Sequence, residues 1–154
     1  MPATVNSSTV AAAIGSALQA DKRYEEAFAW YEKAAAQGHT RSISSLAALY
    51  DAGLGVTQDR NKAFDLWSRA ADFGWADAMW NLANLYGSGA LGERDMLAAC
   101  IWNERARRYL RPVEGGLLAR TEQTAANLGK ILHAGETSAC RSLAAQWAPP
   151  NWRR

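Results

Sequence analysis

Two histidines, two cysteines, scattered serines, two glycine-rich stretches and a run of arginines are the residues through which this 154-residue chain could do chemistry. His39 directly follows Gly38 and occupies the place that Trp75 takes after Gly74, a swap no acid/base or ligand role would survive. His133 has no second histidine and no carboxylate cluster spaced to join it as a general base or metal ligand. Ser16, Ser42, Ser68, Ser88, Ser138 and Ser142 all lack the lysine three residues on that a Ser-x-x-Lys nucleophile needs. Gly53-Leu54-Gly55-Val56 and Gly87-Ser88-Gly89-Ala90 neither run into Gly-Lys-Ser/Thr nor follow a strand, so they read as turns between helices rather than phosphate cradles. Cys100 and Cys140 fit no Cys-x-x-Cys zinc spacing and are too few for a disulfide framework. No catalytic residue, metal ligand or cofactor site can be assembled, and no small-molecule substrate is expected.

The arginines are the strongest charge feature. The formal charge is +2, but residues 1–93 carry 7 basic and 10 acidic side chains, whereas residues 94–154 carry 10 basic and 5 acidic. Arg105, Arg107, Arg108 and Arg111 make most of that difference near the end of one expected helix, where cations oppose the negative pole of the helix dipole. They form a basic patch that could meet an acidic or phosphate-bearing partner. Nucleic acid is not the expected one, because no aromatic stripe alternates with arginine as single-strand binding requires.

These side chains must be held by helices. The sequence counts 32 alanines and only 4 prolines, with no apolar run near the ~20 residues that span a bilayer, so membrane insertion is not expected. Two cysteines and the lack of a basic, apolar leader at the start favour a reducing, cytoplasmic compartment, with the periplasm as the alternative if a signal peptide has been removed.

An internal repeat sets the architecture. At an offset of 36, Leu46, Ala47, Leu49, Tyr50, Gly53, Asp59 and Ala63 fall on Leu82, Ala83, Leu85, Tyr86, Gly89, Asp95 and Ala99. The same offset takes Ala27, Phe28, Lys33, Ala34, Ala35 and Gly38 to Ala63, Phe64, Arg69, Ala70, Ala71 and Gly74. Within a unit, Ile43, Leu46, Ala47 and Tyr50 recur every three or four positions and share one face of a first helix. Ala63, Leu66, Trp67 and Ala70 do the same on a second, from about Asp59 or Asn61 to Phe73, with Gly74 as a left-handed cap. Small alanines let the paired helices approach, and larger aromatics fill the space between pairs.

The run Leu46 to Val56, followed by Asp59, Lys62-Ala63, Trp67 and Ala70-Ala71-x-x-Gly74, resembles the Sel-one-like repeat, a relative of the tetratricopeptide repeat. The next unit keeps Leu82, Tyr86, Gly89, Asp95, Ala99 and Ala106 but has Leu91 where a second glycine is expected. A first unit carries Ile14-Gly15, Leu18, Tyr24, Ala27, Tyr31 and Ala34. A last unit has a first helix within Leu117 to His133, with His133 at its C-terminal end, and a short second helix from Ser138 to Trp147, capped by Thr137 or Ser138. Arg111-Pro112 should end the helix before it.

The resemblance implies an all-α fold, a right-handed α/α superhelical solenoid of about four helix-turn-helix repeats. The units run over about 10–38, 39–74, 75–111 and 114–147, making one domain over 10–147 with an extension at 1–9 and a tail at 148–154. Some cysteine-rich relatives bind or cleave β-lactams, but without Ser-x-x-Lys the resemblance does not imply that activity here. Those relatives also bridge each helix pair. Cys100 and Cys140 lie in different units, and helices 8–10 Å apart would hold their Cα atoms beyond disulfide reach, so both are expected as buried free thiols.

The implied function is a non-enzymatic protein–protein interaction module that binds a protein partner through the concave face of the solenoid. An alternative in the same class is a bacterial immunity protein that inhibits a toxic effector enzyme by direct binding. Register along the first helices turns Arg41 and Ser44, then Asp77, Trp80, Asn81 and Asn84, then Gln123, Asn127 and Lys130 toward the partner. Trp80, among amides and one lysine, has the composition of an interface hot spot.

Overall fold

The computed structural model describes residues 7–111 and 115–151. Among them are eight α-helices and no strand: α1 Ser7–Ala20, α2 Tyr24–Ala36, α3 Thr40–Ala52, α4 Arg60–Asp72, α5 Ala76–Ser88, α6 Met96–Tyr109, α7 Gly115–Gly129 and α8 Ala134–Gln146. The chain forms two compact units, Met1–Ala70 and Ala71–Arg154. The expected stop at Pro112 lies outside the described residues.

Local chemistry sets the helix ends. Asp59 and Asp95, one repeat apart, accept hydrogen bonds from the Lys62 and Ala98 backbone N–H groups at 2.9 and 2.8 Å and start α4 and α6. Gly53 and Gly89 end α3 and α5 at φ +67° and +72°, a conformation that a β-carbon would oppose. At the last unit the expected boundaries shift. α7 starts at Gly115 and ends at Gly129, and α8 starts at Ala134 instead of Ser138, because the Glu136 carboxylate accepts from the His133 backbone N–H at 2.8 Å and caps the helix a turn earlier than Thr137 would.

In the first unit α1 and α2 are antiparallel, joined by a short turn at Asp21–Arg23 and tied at the open end by a Ser7 to Gln37 side-chain hydrogen bond. Their close approach rests on small residues. Ala11, Ala12, Ala27 and Ala34 are buried, and a β-carbon on Gly15 would stand 2.8 Å from the Tyr31 ring. Tyr31 is itself buried, and its hydroxyl donates to Gln19 Oε1 at 2.7 Å. Leu46 and Leu49 of α3 close over Ala27 and Tyr31, and Leu54, Val56 and Leu66 pack against that cluster. The α3–α4 connection lies directly on the start of α2: a β-carbon on Gly55 would be 2.4 Å from the Tyr24 carbonyl carbon.

In the second unit α5 pairs with α6, and α6 also packs on α7 and α8. Met79 and Leu82 are fully buried, each contributing about 1.5–3 kcal/mol. Asn103 stands where the earlier units have Tyr31 and Trp67; it is 1% exposed, and its Nδ2 donates to the Thr121 carbonyl of α7 at 3.0 Å.

The cysteines are not free thiols. Cys100 of α6 and Cys140 of α8 form a disulfide with Cα atoms 5.9 Å apart. Spacing between helix axes does not set the separation of facing residues: two small side chains pointing at one another bring their Cα atoms well inside the axial distance. Cys100 falls at the repeat position of Phe28 and Phe64, where the other units place a ring. The inference from free thiols to a reducing compartment falls with the thiols, since disulfides persist in oxidising ones.

Two outcomes follow for stability. Gly15→Ala should destabilise the protein by about 1 kcal/mol in urea denaturation, because overpacking against Tyr31, ~1–3 kcal/mol, outweighs the ~1 kcal/mol that alanine gains in a helix interior. Denatured, unreduced protein should show no titratable thiol. Reduction should cost roughly 3–4 kcal/mol, the entropy of freeing a loop whose ends are 40 residues apart.

Candidate functional site

The first-helix residues marked by register separate into two groups. On α3, Arg41 is exposed, but Ser44 is 4% exposed and is therefore not presented to a partner. Ser44 lies beside the core-facing Ile43 and Ala47 on α3, and a serine is small enough to be enclosed there. On α5 and α7 most of the marked residues lie in one neighbourhood.

Trp80 fixes that neighbourhood. It is half-buried, its Nε1 donates to Thr124 Oγ1 of α7 at 3.2 Å, and the Arg120 guanidinium lies 4.5 Å from its ring centroid. Arg120 also reaches the Asp77 carboxylate at 3.5 Å. The Asp77–Arg120 and Trp80–Thr124 contacts advance in the same direction along both helices, so α5 and α7 run parallel. One turn further on, Asn84 and Asn127 come to similar heights. Asn81 donates to the Asp77 carbonyl at 2.9 Å, and Gln123 Nε2 donates to Asn127 Oδ1 at 3.1 Å. Lys130 lies just beyond α7, in the turn toward α8, rather than on the helix. Trp80 therefore joins the two helices as well as lining the face, a dual role that the spacing could not show because Arg120 and Thr124 were not among the marked residues.

The four clustered arginines are used inside the second unit. Arg105 is stacked between Trp102 and Trp147, 4.6 Å from each ring centroid, and burial pushes its pKa below the ordinary arginine value. Arg107 pairs with Glu104 at 2.9 Å, Arg108 donates to the Ala145 carbonyl near the end of α8 at 2.7 Å, and Arg111 lies 5.3 Å from the Trp75 ring. Arg105, Arg108 and Arg111 act as clasps between α6 or the residues just after it and neighbouring segments, and Arg107 pairs within α6.

Against known families, the Sel1 repeat matches residues 15–39, 41–73 and 76–111. This chain belongs to the Sel1 repeat family. A protective antigen of uropathogenic Escherichia coli with an SLR fold superposes with a TM-score of 0.78 at 24% identity, over 90% of this chain and 29% of that one. A Sel1 repeat protein from Oxalobacter formigenes superposes at 0.68 and 26% identity, over 88% of this chain and 53% of that one. The chain thus spans about a third and about half of the lengths of these structures. No curated protein matches the sequence. The fold class is the all-α repeat solenoid, and Sel1 repeat proteins are generally protein-interaction modules. Among the described residues no helix is long and apolar enough to cross a membrane.

Both histidines of this Sel1 repeat chain mark helix starts. His39 is the N-cap of α3: the Ser42 backbone N–H donates to its Nδ1 at 3.2 Å, and the Ser42 hydroxyl lies 2.9 Å from the same nitrogen. His133 begins α8, at the opposite helix pole from the C-terminal placement that its sequence position suggested. Partial burial, and secondarily the Arg41 charge, hold the His39 pKa below the usual histidine value. The neutral ring is thus favoured in the folded state. Stability is complete above the unfolded-state pKa of about 6.5 and declines as pH falls through the lower folded value. Urea titrations from about pH 7.5 to 5 should show that decline, and His39→Asn, which caps through an amide oxygen in place of the ring nitrogen and does not titrate, should flatten it.

Proposed function

We propose that this chain is a non-enzymatic interaction module that takes a protein partner across the adjoining faces of α5 and α7. The observation that carries this reading is the held Trp80, an aromatic fixed at its edge by Thr124 and on its face by Arg120, with Asn84, Gln123, Asn127 and Lys130 arranged beyond it. A preorganised ring loses little conformational freedom on binding, and side-chain amides can donate to and accept from a partner's backbone. Family membership supports the class of function, and the uses of histidine and cysteine described above account for those side chains structurally.

Trp80→Ala would confound binding with the α5–α7 contact, so the test uses the periphery. A partner recovered by affinity capture from native lysate is titrated against wild-type protein and against the triple variant Asn84→Ala, Asn127→Ala, Lys130→Ala. The expected result is at least a tenfold weaker Kd, about 1.4 kcal/mol, with an unchanged melting temperature. Undiminished affinity would place binding elsewhere. If the captured partner is an enzyme and loses activity on binding, the module is an inhibitor; unchanged activity would make it an adaptor.

A further inference from the structure

The second unit carries a groove of about 630 Å³ at the end opposite the arginine clasps, and the repeat itself shows what kind of segment belongs in it. In the first unit the α3–α4 connection, residues 53–59, lies over the start of α2. Gly55 touches the Tyr24–Glu25 backbone, while Leu54 and Val56 pack against the cluster built on Ala27, Tyr31, Leu46 and Leu49. Two repeats on, Tyr24 and Glu25 become Met96 and Leu97 at the start of α6, and the connection that should cover them is the one between α7 and α8. That connection is residues 130–133, three shorter, and supplies Leu132 alone. The seat of a Leu-Gly-Val loop is therefore left open.

Its floor is apolar: Leu85, Tyr86, Met96, Leu97 and Leu132. Leu91, at the position of Gly55, stands at its edge and is 37% exposed. The rim is acidic, with Glu93, Asp95 and Glu136 against Arg94. Asp95 and Glu136 already accept backbone hydrogen bonds as helix caps, which fixes their carboxylates in place around the opening.

We propose that this groove, separate from the α5–α7 face, binds an extended segment of a partner protein with an aliphatic–small–aliphatic core and basic flanks. The core would occupy the space that Leu54, Gly55 and Val56 fill in the first unit, and the flanks would meet the acidic rim. The occupant is a separate protein.

The probes are three synthetic peptides: Leu-Gly-Val flanked by two lysines on each side, the same core flanked by glutamates, and an Asn-Gly-Asn core flanked by lysines. Binding is read by calorimetry and by NMR shifts of the Leu97 and Leu132 amides. The Lys-flanked Leu-Gly-Val peptide should bind at least tenfold more tightly than either control. Glu93→Lys should weaken it about fivefold or more, and Leu97→Glu, which installs the residue of the first unit, should abolish it with the helical circular dichroism signal retained. Equal affinities for the three peptides, no binding, or binding unaffected by both variants would overturn the assignment. A dimer in sedimentation that dissociates in Leu97→Glu would seat a second copy in the groove and overturn the separate partner.

Discussion

Close approach of helices over alanine is the constraint on which the rest of this protein depends. Ala27, Ala63 and Ala99, and seven residues later Ala34, Ala70 and Ala106, are each at most 1% exposed, so α2, α4 and α6 each present two methyl-sized contacts on one face. A seam that tight leaves no room for a long side chain, and the bulk removed from it must be regained between neighbouring pairs. Tyr31 does this against Leu46 and Leu49 of α3, and Trp67 is likewise buried at the same position, four residues beyond the first alanine. Where the third repeat substitutes Asn103, the volume is smaller, and the lost apolar contact is replaced by a directional hydrogen bond to the α7 backbone. A buried amide specifies position where a ring would specify only fullness.

The second unit is held by more than an alanine seam. Its α6–α8 contact is aromatic, cationic and covalent. Trp147 meets Trp102 and Tyr109 edge to face, Arg105 lies between the two tryptophans, and Cys100 joins Cys140. Within the arginine-rich stretch, Arg105 and Arg108 hold the end of α8 against α6. An excess of positive charge in the sequence thus reflects assembly within the unit at least as much as attraction for a ligand.

Most of the architecture was legible in the sequence, because helix pairing here follows from period alone: the offset of 36 carries leucine, alanine, tyrosine and capping aspartate together, and side chains at these positions have only one place to go. What stayed hidden depends on distances between elements. Spacing cannot show that Cys100 and Cys140 face each other, since each lies on a different helix and the crossing of those helices is a tertiary fact. Nor could it separate Ser44, enclosed, from Arg41, exposed, because a small polar residue at the border of a helical face can be placed on either side. Trp80 was marked by its exposed register, but its anchoring by Thr124 and Arg120 comes from a helix 44 and 40 residues away. The early start of α8 was obscured for a simpler reason: Thr137 and Ser138 are good caps by type, and only the position of Glu136 shows that His133 is the one used.

The disulfide also changes what happens when the protein is pulled. Arrays of helical pairs peel from their ends, each helix lengthening the chain as it detaches. With α6 and α8 joined, α7 lies within a covalent ring, and tension applied at the C-terminal side is transmitted from Cys140 straight to Cys100. The 40-residue separation between them is removed from the extensible length, roughly 130–140 Å of contour that cannot be drawn out while the bond is intact. The load passes instead into α6 at Cys100, next to the buried Ala99, so under force α7 and α8 behave as part of the helix pair they are tied to.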